Sequence, residues 1–215
     1  PRRSASADLA ERRASAEGAG AARREAAERL GVNPHAPTLL VTGGSLGALH
    51  VNESMTGGAD ALPEGAQVIH LTGRGKDEPV RKAVEAAGLS DRWHVIDYLT
   101  TMEDALAVAD LVVCRSGAGT VAEMEALGLP CIYVPLPIGN GEQRLNAADH
   151  VAAGGAQLID DKDFTADFVR RNVFPLLGST RLADMAAASQ SLGRAGAARA
   201  LADLALEQVK EASNE

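Results

Sequence analysis

Aromatic residues are scarce in this sequence, 3% in all, with one tryptophan, two tyrosines and three phenylalanines. An interior with so few rings has to be filled by Ala, Val and Leu, which suits helices packed closely on a sheet. Cysteine is nearly missing as well. Cys114 and Cys131 each lie in an apolar run, LVVCR and PCIYVP, where a thiol packs as a small hydrophobe rather than as a disulfide partner or metal ligand. No apolar run approaches the ~18 residues that would span a membrane. A basic excess is also absent: 21 Lys and Arg stand against 29 Asp and Glu, a net charge of -8. This argues against nucleic acid as a partner, whose phosphates call for local Lys and Arg. An anionic ligand would have to be held by local geometry instead. No secretory signal is legible, so a reducing cytoplasm is the expected compartment. The chain opens on Pro1 rather than Met, which reads as a processed product or a piece of something longer.

What is present is a regular beat of short apolar runs and helical stretches. Residues 1–20 are rich in Ala, Ser, Arg and Glu with little apolar periodicity and read as a linker with a possible short helix. A helical stretch over 22–30 ends at Gly31, and Pro34 and Pro37 then lead to a new element. Strands are expected at 38–42, 67–71, 94–97, 111–114, 131–134 and 157–159. Helices are expected at 78–87, 102–108, 120–127 and 143–153, with another after the glycine-rich residues 43–47. Alternation of this kind predicts an α/β fold, a doubly wound parallel sheet with both faces covered. The expected division is a linker and helix over 1–33, an α/β domain over 34–178, and trailing helices over 179–215, broken near Gly193 and Gly196.

In open parallel sheets ligands lie beyond the carboxyl ends of the strands, so the loops there are the candidate sites. The first, Gly43-Gly44-Ser45-Leu46-Gly47, is either a tight strand-to-helix turn or a phosphate cradle, with free helix amides and the Ser45 hydroxyl as donors. It lacks the GK[ST] ending of a Walker loop and the GxGxxG spacing of a dinucleotide turn. It does spell GxSxG, as a nucleophile elbow would. Against that hydrolase reading, Ser45 follows the first strand rather than a later one, and no histidine sits in a late loop behind a plausible acid. In the second loop, Arg115-Ser116-Gly117-Ala118-Gly119-Thr120, a guanidinium stands beside a helix start, and both suit a diphosphate. Glu123 lies three residues past Thr120, so it either closes a capping box or offers its carboxylate to a ribose diol. The third loop, 135–146, is rich in Pro and Gly and leads to Glu142, Gln143 and Asn146, residues that cap helices or bind sugar hydroxyls. His35, His50, His70, His94 and His150 are scattered and read as surface or packing residues, and no cluster has metal-ligand spacing. Glu103 and Asp104 open a helix, where acids are favoured for structural reasons.

Together, residues 43–48 (GGSLGA), 113–123 (VCRSGAGTVAE) and 128–147 (GLPCIYVPLPIGNGEQRLNA) resemble the donor-binding domain of the MurG family. These UDP-N-acetylglucosamine transferases make lipid II from lipid I in peptidoglycan synthesis. The resemblance runs from about Pro34 onward, and Pro1-Arg2-Arg3 is similar to the family's interdomain linker. It implies the C-terminal, Rossmann-like half of a GT-B glycosyltransferase, inverting, without metal or cofactor. Its partners would be UDP-N-acetylglucosamine and, through an N-terminal acceptor domain not represented here, a lipid-linked acceptor at the inner face of the cytoplasmic membrane. The general base would belong to that other domain. Carried over by position, Ser45, with Gly44 and Gly47 beside it, would contact the diphosphate, as would Arg3 or its neighbour Arg2. Leu99, flanked by Tyr98 and Met102, would read uracil. Arg115, Ser116, Gly117, Ala118, Gly119 and Thr120 would surround the diphosphate, Glu123 would take the ribose, and Glu142, Gln143 and Asn146 would meet the sugar. Leu46 departs from the family's usual GGSQGA, and Glu142 stands where an amide is common. A donor-binding subunit of a split or different UDP-sugar transferase is the alternative reading.

Overall fold

The computed structural model describes residues 5–44, 48–138 and 140–192. Two helices come first, α1 (Ala5–Arg13) and α2 (Ala16–Leu30). Ser15 caps α2 by accepting from the Gly18 N–H, and Gly31 ends it in the left-handed conformation, φ 67°. The possible short helix within residues 1–20 is present as α1, which buries Leu9 and Ala10, and the helix expected over 22–30 is α2, which buries Ala22, Ala26 and Ala27. Their small side chains allow close helix approach with almost no apolar periodicity to advertise it.

The alternating part begins at β1 (Thr38–Thr42), runs through α3 (Leu49–Gly57) to β2 (Gln67–Leu71), and through α4 (Asp77–Ala86) to β3 (Trp93–Ile96). After α5 (Met102–Val108) come β4 (Leu111–Cys114), α6 (Ala118–Leu127) and β5 (Cys131–Tyr133). The helix expected over 143–153 is two pieces, α7 (Glu142–Asn146) and α8 (Ala148–Ala152), followed by β6 (Ala156–Leu158). A short α9 (Ala166–Phe168) continues into a π-turn at Val169–Val173, and α10 (Thr180–Leu192) closes the described chain. The expected breaks at Gly193 and Gly196 lie outside the described residues. Among those described, no helix is long and apolar enough to cross a membrane.

All six strands are parallel, in the order β3-β2-β1-β4-β5-β6. Side chains alternate between faces as the pleat requires. Leu39, Val41, Val68, Leu111, Val113 and Ile132 enter one core with α3, α4 and the start of α10. Leu40, Ile69, Val112, Cys114, Cys131 and Tyr133 enter the other with α1, α2, α5 and α6. Both cysteines are buried and unbridged, and burial pushes the Cys131 thiol well up, so it stays protonated.

Two buried histidines act as hydrogen-bond relays. Trp93 Nε1 donates to His70 Nδ1 at 3.3 Å, and His70 Nε2 meets Asn52 Oδ1 at 3.0 Å. Tyr133 Oη and His150 Nδ1 are 2.8 Å apart, and His150 Nε2 lies 2.7 Å from Ser189 Oγ, which donates to the Gly155 carbonyl. Burial lowers the pKa of His70 to about 3 and that of His150 to about 4.

Candidate functional site

Successive strands run outward from β1 to β2 to β3, then the chain returns to lay β4 on the other side of β1. The loops after β1 and β4 therefore diverge, and a crevice opens between them at the carboxyl end of the sheet. It is a cleft of about 270 Å³ lined by Thr42 and Gly44 after β1, Gly73 after β2, Asp97, Tyr98 and Leu99 after β3, and Arg115 after β4. Met102 of α5 and Thr120, Glu123 and Met124 of α6 complete it.

The capping-box reading of Thr120 and Glu123 does not hold. Helix α6 begins at Ala118 with Gly117 as its cap, so Thr120 already lies inside the first turn and Glu123 in the second. A small-residue loop lets the helix start two residues earlier than the position of Thr120 suggested, and both side chains line the cleft instead. Glu123 Oε1 accepts a hydrogen bond from the hydroxyl of Ser6 in α1. The amides at the start of α6 bring partial positive charge to the same place.

Arg115 is not a free cation. Its Nη1 donates to the Val134 and Pro135 carbonyls at 3.0 Å each and pairs with Asp161. One guanidinium thus ties together the segments after β4, β5 and β6. Ser116 is fully buried, with no partner for its hydroxyl among the described residues, while its carbonyl accepts from Asn146 Nδ2 at 3.1 Å.

The third loop forms a neighbouring hollow of about 370 Å³, lined by Leu136, Ile138, Glu142, Gln143, Arg144 and Asp161 among others. Gln143 Oε1 accepts from the Leu136 N–H at 3.0 Å, and Glu142 is exposed. The loops after β1, β3 and β4 therefore share one cleft, and the sugar-hydroxyl candidates Glu142 and Gln143 line a second. The Arg115–Asp161 pair joins the two, Arg115 lining the first and Asp161 the second, while Asn146 holds the Ser116 carbonyl beside Arg115. Arg3, Ser45 and Gly47 lie outside the described residues; Gly44 is described, with φ 80°, and its N–H faces Thr42 Oγ1 at 3.3 Å.

Sequence reasoning missed several participants. Gly73 and Arg74 follow β2 in the run Thr72-Gly73-Arg74-Gly75, whose composition and strand-end position could have marked it. The Arg74 guanidinium stacks on the Tyr98 ring, 3.8 Å from its centroid, at the edge of the cleft. Asp161 and Ser6 carried no local signal, because they meet Arg115 and Glu123 across 46 and 117 residues of sequence.

Residues 38–201 match the glycosyltransferase family 28 C-terminal domain. The chain is 48% identical over 197 residues to a UDP-N-acetylglucosamine–N-acetylmuramyl-(pentapeptide) pyrophosphoryl-undecaprenol N-acetylglucosamine transferase of Bifidobacterium longum, covering 85% of this chain and 50% of that protein. The Streptomyces coelicolor protein of the same name is 44% identical over 191 residues, covering 88% and 52%. The chain thus spans about half the length of the curated relatives it matches. Among solved structures, MurG of Acinetobacter baumannii superposes with a TM-score of 0.69 at 25% identity, over 85% of this chain and 52% of that one. The calicheamicin glycosyltransferase CalG4, at 19% identity and TM-score 0.57 over 82% and 45%, shares the fold. By its strand order, the match over residues 38–201 and these likenesses, the chain belongs to glycosyltransferase family 28 and carries that family's C-terminal domain.

Proposed function

We propose that this chain is the donor-binding half of an inverting glycosyltransferase that holds UDP-N-acetylglucosamine at the crevice between β1 and β4. The observation that carries this reading is the gathering of Gly44, Tyr98, Leu99, Thr120 and Glu123, from three separate stretches of sequence, around one cleft at the reversal of strand order. On this reading uracil lies against Tyr98, Leu99 and Met102, and Glu123 accepts from the ribose hydroxyls. The diphosphate meets the amides of Ala118, Gly119 and Thr120, and the sugar extends past Asn146 toward Glu142 and Gln143 in the second hollow. Ser45, Gly47 and Arg3 belong to the same proposal.

The chemistry follows from that placement. An acceptor hydroxyl attacks the anomeric carbon, the bond from that carbon to the diphosphate breaks, and negative charge grows on the departing UDP. Fixed helix amides at the start of α6 stabilise that charge without reorganising, as an oxyanion hole does. Arg115, neutralised by Asp161, contributes chiefly by holding the loops in place. The names of the relatives specify a muramyl-(pentapeptide) pyrophosphoryl-undecaprenol acceptor. We extend this to the present chain: lipid I is the acceptor, lipid II the product, and the complete enzyme works at the inner face of the cytoplasmic membrane. Acceptor binding and the general base fall to a partner half corresponding to the rest of the relatives' length. That half is either in the same polypeptide or, on a second reading supported by the same half-length match, a separate subunit; the reading frame upstream of Pro1 tells them apart.

Titration calorimetry with UDP-N-acetylglucosamine tests the site. Glu123→Ala removes a charge-assisted hydrogen bond and is expected to weaken binding by ~1.5–3 kcal/mol. Equal affinity of the variant and the parent would remove Glu123 from the site.

A further inference from the structure

We propose that Ser6 is a positioning residue for Glu123, so that helix α1 forms part of the ribose side of the nucleotide site. This rests on the reading of Glu123 given above. Helix α1 packs against α6 and reaches it from near both of its own ends. Ser6 Oγ donates to Glu123 Oε1, and Arg13 Nε donates to the carbonyl of Leu127, the last residue of α6, at 3.0 Å. Between those two contacts Leu9 and Ala10 are buried in the core.

A glutamate on a helix face samples several rotamers, and binding a vicinal diol requires one of them. Among the described residues, Ser6 is the hydrogen-bond partner of the Glu123 carboxylate. A hydroxyl on Oε1 selects a rotamer and still leaves most of the carboxylate's acceptor sites open, since two oxygens offer about four. The contact therefore spends one acceptor site to fix the direction of the rest, which lowers the ordering cost when nucleotide arrives. The docking of α1 does not depend on this hydroxyl, because Leu9, Ala10 and Arg13 hold the helix, and alanine is the best helix former available for position 6.

Calorimetric affinities for UDP and for 2′,3′-dideoxy-UDP on the parent, Ser6→Ala, Ser6→Thr and Glu123→Ala test the proposal. The parent is expected to prefer UDP. Ser6→Ala should lose roughly 3–10-fold on UDP and leave the dideoxy nucleotide unchanged, as expected for one oriented hydrogen bond. Ser6→Thr, which keeps the hydroxyl, should restore the preference, and Glu123→Ala should abolish it. An unaltered preference in Ser6→Ala, with the preference abolished in Glu123→Ala, overturns the positioning role and leaves the donor site standing. Tighter UDP binding by Ser6→Ala also overturns it, since Ser6 would then compete with the ribose. A preference that survives Glu123→Ala removes the ribose assignment itself.

Discussion

Asp110 accepts from Arg23 Nη1 and Nη2 at 2.9 Å each and from the Thr38 N–H at 2.8 Å. Arg23 in turn donates to the carbonyls of Pro34 and Ala36. This partly buried fork joins α2 to the starts of β1 and β4, at the end of the sheet opposite the cleft. Asp110→Ala would leave the Thr38 amide without its acceptor and the Arg23 guanidinium without its countercharge, and is expected to cost about 2–3 kcal/mol in urea denaturation. Nucleotide affinity should not change, and an equal loss of affinity and stability would contradict the separation of the two ends. The histidines make a second prediction at this scale. Both have folded pKa values, about 3 for His70 and about 4 for His150, below the 6.5 of an unfolded imidazole. Between those values the unfolded chain binds more protons, so their contribution is complete above pH 6.5 and is lost as pH falls toward 4 and then 3. Each histidine contributes up to about 1.4 kcal/mol per pH unit. His150→Gln should lower stability at pH 7 yet make its fall between pH 6.5 and 4 visibly shallower. An unchanged slope would mean that His150 is not neutral in the fold.

At the scale of elements, α10 is held by a contact that leaves no room for a methyl group. A Cβ on Gly155 would sit 2.4 Å from Ser189 Oγ and 2.6 Å from the His150 ring. Gly155→Ala is therefore expected to push α10 from the sheet, to cost about 1–3 kcal/mol, and to raise amide exchange over Thr180–Leu192 before other helices respond. Uniform exchange across the molecule would argue that α10 is not separately detachable. Gly128 ends α6 at φ 62° with Gln190 against it, so α10 also covers the cap of the helix that faces the cleft. Element boundaries were legible where Gly or Pro punctuates an apolar run, as at Pro37 before β1 and Gly31 after α2. They were obscured where Ala dominates: the start of α2 at Ala16 and the bounds of α1 fall among alanines that any helix tolerates on any face, so composition left that stretch as a linker with a possible short helix.

For the whole molecule, a net charge of -8 does not prevent an anionic ligand from binding at the amide-rich start of α6, because the field there is local. Since the chain spans about half of its relatives, we expect the isolated 215-residue chain to bind UDP-N-acetylglucosamine but to transfer sugar to lipid I negligibly. A radiolabel transfer assay checks this, and robust turnover by the chain alone would refute the division into donor and acceptor halves.

Sequence by itself determined the parallel α/β architecture, because short continuous apolar runs alternating with helical stretches leave few alternatives. It also marked the loops after β1, β4 and β5 as candidate sites, since small residues at strand ends are visible locally. Only the tertiary structure decided which of them share a cleft, that Glu123 turns to the cleft rather than back to Thr120, and that Arg115 is already paired with Asp161. Those outcomes depend on side chains brought together from distant parts of the chain, such as Ser6 against Glu123. Chain order carries no record of that proximity, because it arises only when the sheet is assembled and both its faces are covered.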